Sequence, residues 1–184
     1  MNETKFNNEL LEGEKILWSG KPEEGILFKK ADIFLIPFSL LWGGFTIFWE
    51  ISVLRINAPL FFSLFGIPFV LFGLYLMIGR FFYKKHKKRN TYYAITDQRV
   101  LILTALKNKR LKSIFIKNIP TINKNIKSNG YGSIKFGNSS IFTSMYENTG
   151  LGIFGYENKN IIAFYDIREV NEVYKLVNNL KKAV

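Results

Sequence analysis

The sequence has no cysteine and one histidine, His86. Without cysteine there is no disulfide framework, no thiolate zinc site and no thiol nucleophile. One imidazole leaves at most a single histidine base and no histidine-rich metal cluster. Acidic residues are scarce too, 14 against 26 Lys+Arg, and they show no clustered metal-ligand spacing. Ser139 and Ser140 lack the frame of a nucleophile elbow. These absences remove most enzyme constellations, so neither catalysis nor a cofactor is expected.

What the chain does have is positive charge and phenylalanine: a formal net charge of +12 and 18 Phe in 184 residues. Taken whole, such an excess suggests nucleic acid as partner. Its distribution points elsewhere. Residues 1–32 carry five Lys and seven acids, net −2. Residues 33–79 carry only Glu50 and Arg55 but hold nine of the 18 Phe. Residues 80–89, RFFYKKHKKR, carry six cations and no acid, and residues 90–184 carry 14 cations against six acids. A nearly uncharged aromatic block bounded by a dense basic run is the profile of a membrane protein.

The block reads as two spans, 33–54 and 58–79, of 22 residues each. As helices they reach about 33 Å, enough for a hydrocarbon core of about 30 Å. A buried helix pair in a soluble protein would show polar faces at helical spacing, and none is visible. The apolar run also starts too late and runs too long for a cleavable signal peptide. Only Arg55-Ile56-Asn57 separates the spans, which forces an antiparallel hairpin. Lys29 and Lys30 precede the first span, and Arg80, Lys84, Lys85, Lys87, Lys88 and Arg89 follow the second. The positive-inside rule then puts both termini, the segment 1–32 and the domain 90–184 in the cytoplasm. The sequons at Asn2 and Asn138 fall on the wrong side for glycosylation.

Folding the hairpin about residue 56 sets Ser39 level with Gly73 and Thr46 level with Gly66. Ser39, Gly43 and Thr46 share one helical face, and small residues at matching depth allow close backbone approach. Glu50, the one acid within a span, lies four residues from its end, so it is expected to reach the headgroup region or Arg55. Pro37 and Pro68 mark local bends.

Residues 90–167 read as short strands: 91–95, 99–105, 111–116, 119–126, 132–136, 140–145, 151–156 and 161–165. Thr96-Asp97-Gln98 is a tight turn, and 107–110 a basic link. Such spacing favours an antiparallel sandwich or open barrel of about seven strands. Asp166 and Glu169 resemble a capping pair for a final helix, on which Val170, Val173, Val177 and Leu180 recur at helical spacing. That stripe is expected to be core.

Strands followed by a terminal helix give the order of a pleckstrin-homology-like fold, and the local residues agree. Gly13-Glu14-Lys15-Ile16-Leu17-Trp18-Ser19-Gly20-Lys21-Pro22 resembles the opening of bacterial pleckstrin-homology-like membrane proteins. In that family two transmembrane helices follow, then a hairpin to which Tyr93-Ala94-Ile95-Thr96-Asp97-Gln98-Arg99-Val100 is similar. The resemblance spans essentially the whole chain. It implies a bacterial inner-membrane protein with a cytoplasmic pleckstrin-homology-like domain, and little about activity. Residues Thr96 to Arg99 are read as turn geometry, not as a binding site. Phosphoinositide-binding members of the wider fold use basic residues on the first hairpin, where this chain offers Arg99 alone.

Other motifs carry less. Gly150-Leu151-Gly152-Ile153-Phe154-Gly155 matches G-x-G-x-x-G, but no helix opens there, so a strand bend is expected in place of a nucleotide site. His86 sits within the cationic run and reads as a solvated juxtamembrane residue. That run is the expected lipid contact, at roughly 1 kcal/mol per cation near an anionic leaflet. Lys107, Lys109, Arg110 and Lys112 form a second basic patch, read as a solvated loop that can also face the bilayer.

The sequence therefore predicts a two-helix transmembrane hairpin plus a mainly-β, pleckstrin-homology-like barrel or sandwich capped by a C-terminal helix. Its expected role is non-catalytic binding or scaffolding, through an unknown protein partner and non-specific attraction to anionic headgroups. The alternative is an accessory subunit of an export or envelope-stress complex that uses the hairpin. Nucleic-acid binding is more distant: there is no recognition helix, and the membrane is the nearer polyanion.

Overall fold

The β-branched and aromatic runs form antiparallel meanders. In the computed structural model, which describes residues 3–25, 31–138, 149–151 and 161–183, the first sheet has the order β1-β2-β3-β4. Its strands are β1 (Ile16–Gly20), β2 (Thr91–Thr96), β3 (Arg99–Ala105) and β4 (Lys109–Phe115). The second sheet joins β5 (Ile122–Ile126), β6 (Gly132–Phe136) and β7 (Ile162–Ile167). Among the described residues no ladder closes one sheet onto the other, so both are open. The expected strands at 140–145 and most of 151–156, with Ser139, Ser140 and Asn2, lie outside the described residues.

The chain divides into two compact units. The β unit comprises Met1–Gly25, Lys85–Ser144 and Asn158–Val184. The period-2 pattern of β2 and β3 decides its core: Tyr93, Ile95, Val100 and Ile102 face inward toward Ile134, Phe136 and Phe164 of the second sheet. Phe164 is the centre of an aromatic set, stacked on Tyr93 at 4.5 Å and on Trp18 at 5.6 Å, with Phe136 edge-on at 5.1 Å. Such pairs add about 0.5–1.5 kcal/mol each beyond burial. A terminal helix, Val170–Ala183, lays Val170, Val173 and Val177 on this core. The opposite face of β2 and β3 buries Ala94, Leu101 and Leu103 beneath Phe6.

Four sequence expectations need correction in this unit. The segment 1–32 is not separate from the domain at 90–184: β1 pairs with β2, Trp18 opposite Ile95 and Gly20 opposite Tyr93. The hairpin at 91–105 therefore follows an earlier paired strand, and both apolar helices are an insertion between β1 and β2. The basic link at 107–110 is partly strand, since Lys109 and Arg110 pair with Ala105 and Thr104. The strand begun at 119 starts only at Ile122, because a 3-10 turn, Ile116–Asn118, and Pro120, with no N–H to give, precede it. Asp166 and Glu169 form no capping pair. Asp166 belongs to β7, fully buried at φ 55. Glu169 accepts a 2.7 Å bond from Trp18 Nε1, while its carbonyl receives the Val173 N–H.

The other unit, Ile26–Lys84 with Met145–Glu157, holds the apolar hairpin. Its helices are α1 (Asp32–Arg55) and α2 (Leu60–Leu74), the second prolonged by a π turn, Tyr75–Gly79, into α3 (Arg80–Arg89), of which residues 85–89 belong to the β unit. Pro37 and Pro68 lie inside α1 and α2. Asn57 takes the left-handed φ of 51 that the reversal between them requires. Two helices, Asp32–Arg55 and the 30-residue Leu60–Arg89, are long and apolar enough to cross a membrane. The run at 80–89 is thus helix, not a tail beyond it.

Candidate membrane-interaction site

The hairpin is built with its large side chains outward. Phe34, Leu41, Phe48, Leu60 and Phe61 are 69–74 % exposed, whereas Ser39, Gly43, Thr46, Gly66 and Gly73 are buried. Water would drive the reverse arrangement; hydrocarbon gives large apolar groups no reason to turn inward, and small residues let the backbones close. A Cβ on Gly73 would stand 2.9 Å from Gly43 Cα and 3.2 Å from Thr46 Oγ1. The Ser39 and Thr46 hydroxyls return bonds to their own helix, at Ile36 and Gly43 carbonyls. Gly73 thus faces Gly43, not Ser39, and Gly66 faces Trp49 and Glu50, not Thr46. The pairing expected from a fold about residue 56 is displaced by about one turn. The helices end at Arg55 and begin at Leu60, which moves the centre of the reversal toward residue 58.

Glu50 differs from its expected place as well. Its Oε2 lies inside the hairpin with no hydrogen-bond partner, and a Cβ on Gly66 would collide with it. The carboxyl does not turn out toward Arg55, because the niche left by Gly66 accepts it.

The basic run divides by helical face. Arg80, Lys84 and Lys88, spaced by four, are buried at 1–5 % exposure, while Lys85, His86 and Arg89 are exposed and Lys87 is half-buried. Three of the six expected headgroup contacts are thereby withdrawn from the surface. Arg80 is tied to Asp32, to Leu76 O at 2.9 Å and to the Phe81 ring at 4.3 Å. Gly150 presses on the same residue: at φ +93, a Cβ there would lie 2.4 Å from Arg80 O. Tyr75 donates its hydroxyl hydrogen to Gly150 O. The first glycine of the G-x-G-x-x-G match is therefore explained by a close backbone approach within the hairpin unit, and Gly152 and Gly155 lie outside the described residues.

Lys88 ends in the β unit on Asp166, at 2.9 Å, and on Gly25 O, at 3.0 Å. Asp166 also faces Lys127 at 3.7 Å, and its carbonyl accepts the Glu23 N–H at 2.7 Å. Arg89 pairs with Glu24 at the surface, at 2.9 Å. Residues 23–25, where the chain leaves for the hairpin, and 88–89, where it returns, are thus stapled together over one buried carboxylate.

The antiparallel register gathers the second basic patch at one end of the first sheet. Gly20 lies opposite Tyr93, Thr91 opposite Thr104, and Ala105 opposite Lys109. Lys107 and Arg110 are exposed there, Lys109 pairs with Glu9 at 2.6 Å, and Lys112 is half-buried on β4. Lys21 joins them, over the Tyr92 ring at 4.6 Å. This end is also where the chain departs from β1 and re-joins β2.

The opposite end carries the site that sequence reasoning treated as turn geometry. Thr96 Oγ1 accepts the Arg99 N–H at 2.9 Å and donates to Glu14 at 2.7 Å. Arg99 answers Glu14 with Nε and Nη2, each at 2.8 Å, and the Leu11 N–H adds a bond of 2.7 Å. Burial alone would raise the Glu14 carboxyl, but the Arg99, Leu11 and Thr96 donors outweigh it and hold its pKa at about 2. The same bond to Glu14 raises Arg99. Glu14 and the Thr96–Arg99 turn, quoted above as two separate motifs, form one clasp. Among the described residues no group of acids and histidine is placed to hold a metal. Comparison with family models, with curated proteins and with solved structures returns no match.

Proposed function

We propose that this chain is a membrane-anchored, non-catalytic binding or scaffolding module, with a pleckstrin-homology-like β unit at the cytoplasmic face of a bacterial inner membrane. The observation that carries the reading is the inside-out hairpin, with phenylalanine and leucine outside and glycine, serine and threonine within. The order of elements is compatible with such a fold: a four-strand meander, a three-strand meander and a terminal helix. Both termini share the β unit's side of the membrane. Lys21, Lys107 and Arg110, at the end of the sheet from which the hairpin departs, attract anionic headgroups at roughly 1 kcal/mol per cation. That attraction is electrostatic and non-specific.

A chain without cysteine admits a single-site probe. Asn108→Cys, labelled with an environment-sensitive fluorophore and reconstituted as the full chain in nanodiscs, reports on the β3–β4 turn. Emission shifts to the blue in anionic relative to zwitterionic lipid, and salt reverses the shift. Identical emission in both lipids would refute the headgroup contact.

A further inference from the structure

The first sheet carries an apolar outer face, and residues 3–12 cover it as a bound peptide would. Two 3-10 turns, Glu3–Lys5 and Asn7–Glu9, close on themselves through Phe6 N to Glu3 O and Glu9 N to Phe6 O. They add no strand to the sheet. Attachment is through side chains. Phe6 is fully buried against Ala94, Leu101 and Leu103, with Leu10 and Leu111 packed beside it. Glu9 pairs with Lys109 at 2.6 Å, and its carbonyl accepts Arg99 Nη2 at 2.7 Å. Beyond lies Gly13, at φ +76 with open space around it, a hinge that only glycine occupies without strain. Glu14 stays behind with both of its bonds to Arg99, so the buried guanidinium keeps its carboxylate when the segment leaves; the departure costs the clasp only the Glu9 carbonyl on Arg99 and the Leu11 N–H on Glu14.

We propose that the outer face of the β1–β4 sheet is a docking groove for a short acidic partner segment bearing a phenylalanine and a leucine four residues apart, and that residues 3–12 fill it in cis. The inference rests on the binding-module reading above and names its surface. The chemistry of the occupant is set by complementarity: an apolar pair for the floor of Ala94, Leu101 and Leu103, and carboxylates for Lys109 at the rim. Anchoring by one buried ring and a few side-chain bonds is the signature of an element that opens locally at low cost.

The test uses the full chain and a variant lacking residues 2–12, both in detergent micelles, with a fluorescent peptide of residues 1–12 as probe. Saturable binding to the shortened chain, little to the intact chain, and binding weakened at least about tenfold by Phe6→Ala in the peptide support the groove. Hydrogen exchange of residues 3–12 in the intact chain at least about a hundredfold faster than that of β2 and β3 adds a folding-independent measure. A shortened chain that loses its fold, or folds and takes no peptide, overturns the proposal, as does equal protection of strap and sheet. An intact chain that dimerises by exchanging its straps overturns the assignment to a partner. All these readouts are made without a bilayer, so they succeed or fail independently of the headgroup contact.

Discussion

Glu14 and Arg99, 85 positions apart, hold each other by two hydrogen bonds of 2.8 Å, with Glu14's side chain wholly buried. The carboxyl falls from an ordinary 4.5 to about 2 in the folded chain. A folded-state pKa below the unfolded one means that folding is favoured by the ionised form. The contribution is complete above about pH 4.5 and is lost as pH falls toward 2. It is on the order of 3 kcal/mol at neutral pH. Thermal unfolding in detergent between pH 7 and pH 2 should therefore fall more steeply for the natural chain than for Glu14→Gln. Parallel curves would show that the clasp does not carry the acid sensitivity.

Gly73 meets Gly43 backbone to backbone, so a side chain there must part the helices. Gly73→Leu should cost about 1–3 kcal/mol through overpacking, read as a lower melting temperature in detergent. Gly66→Leu should do the same against Trp49 and Glu50. Gly44, whose Cβ would meet nothing within 4 Å, supplies the control: Gly44→Ala should be neutral or mildly stabilising. Equal tolerance at all three positions would deny the packed face.

Lys88 and Asp166 are both almost wholly buried, so removing either takes from the other its closest opposite charge, with Lys127 farther from Asp166 at 3.7 Å. Lys88→Met or Asp166→Asn alone should destabilise by about 3–5 kcal/mol. The double variant should cost less than the two losses together, a coupling that a double-mutant cycle measures. Simple additivity would mean the pair is not an energetic unit.

The transmembrane reading came from a count of charges along the chain, and two helices of sufficient length and apolarity are present. Most of the strands between 91 and 136 were legible as β-branched and aromatic runs bounded by turn residues, although Lys109 and Arg110 were hidden in a basic link and the start of β5 was placed three residues early. The contribution of Ile16–Gly20 was hidden: five residues of modest hydrophobicity become a strand only when β2 arrives from 70 positions later. The destinations of the cations were hidden for the same reason. Spacing by four placed Arg80, Lys84 and Lys88 on one face, which was a usable sign. That Asp32 and Asp166 wait for two of them is tertiary information. Glu50 was misjudged because its distance from the end of a helix says nothing of a niche at Gly66.

The central claim is that Asp32–Arg55 and Leu60–Arg89 integrate into a bilayer as a hairpin. Alkaline carbonate extraction of membranes from cells expressing the full chain tests it most directly, since high pH strips peripheral proteins and leaves spanning ones. The account predicts that the chain stays in the membrane pellet and leaves it only with detergent. Recovery in the carbonate supernatant, with a control integral protein retained, would contradict it.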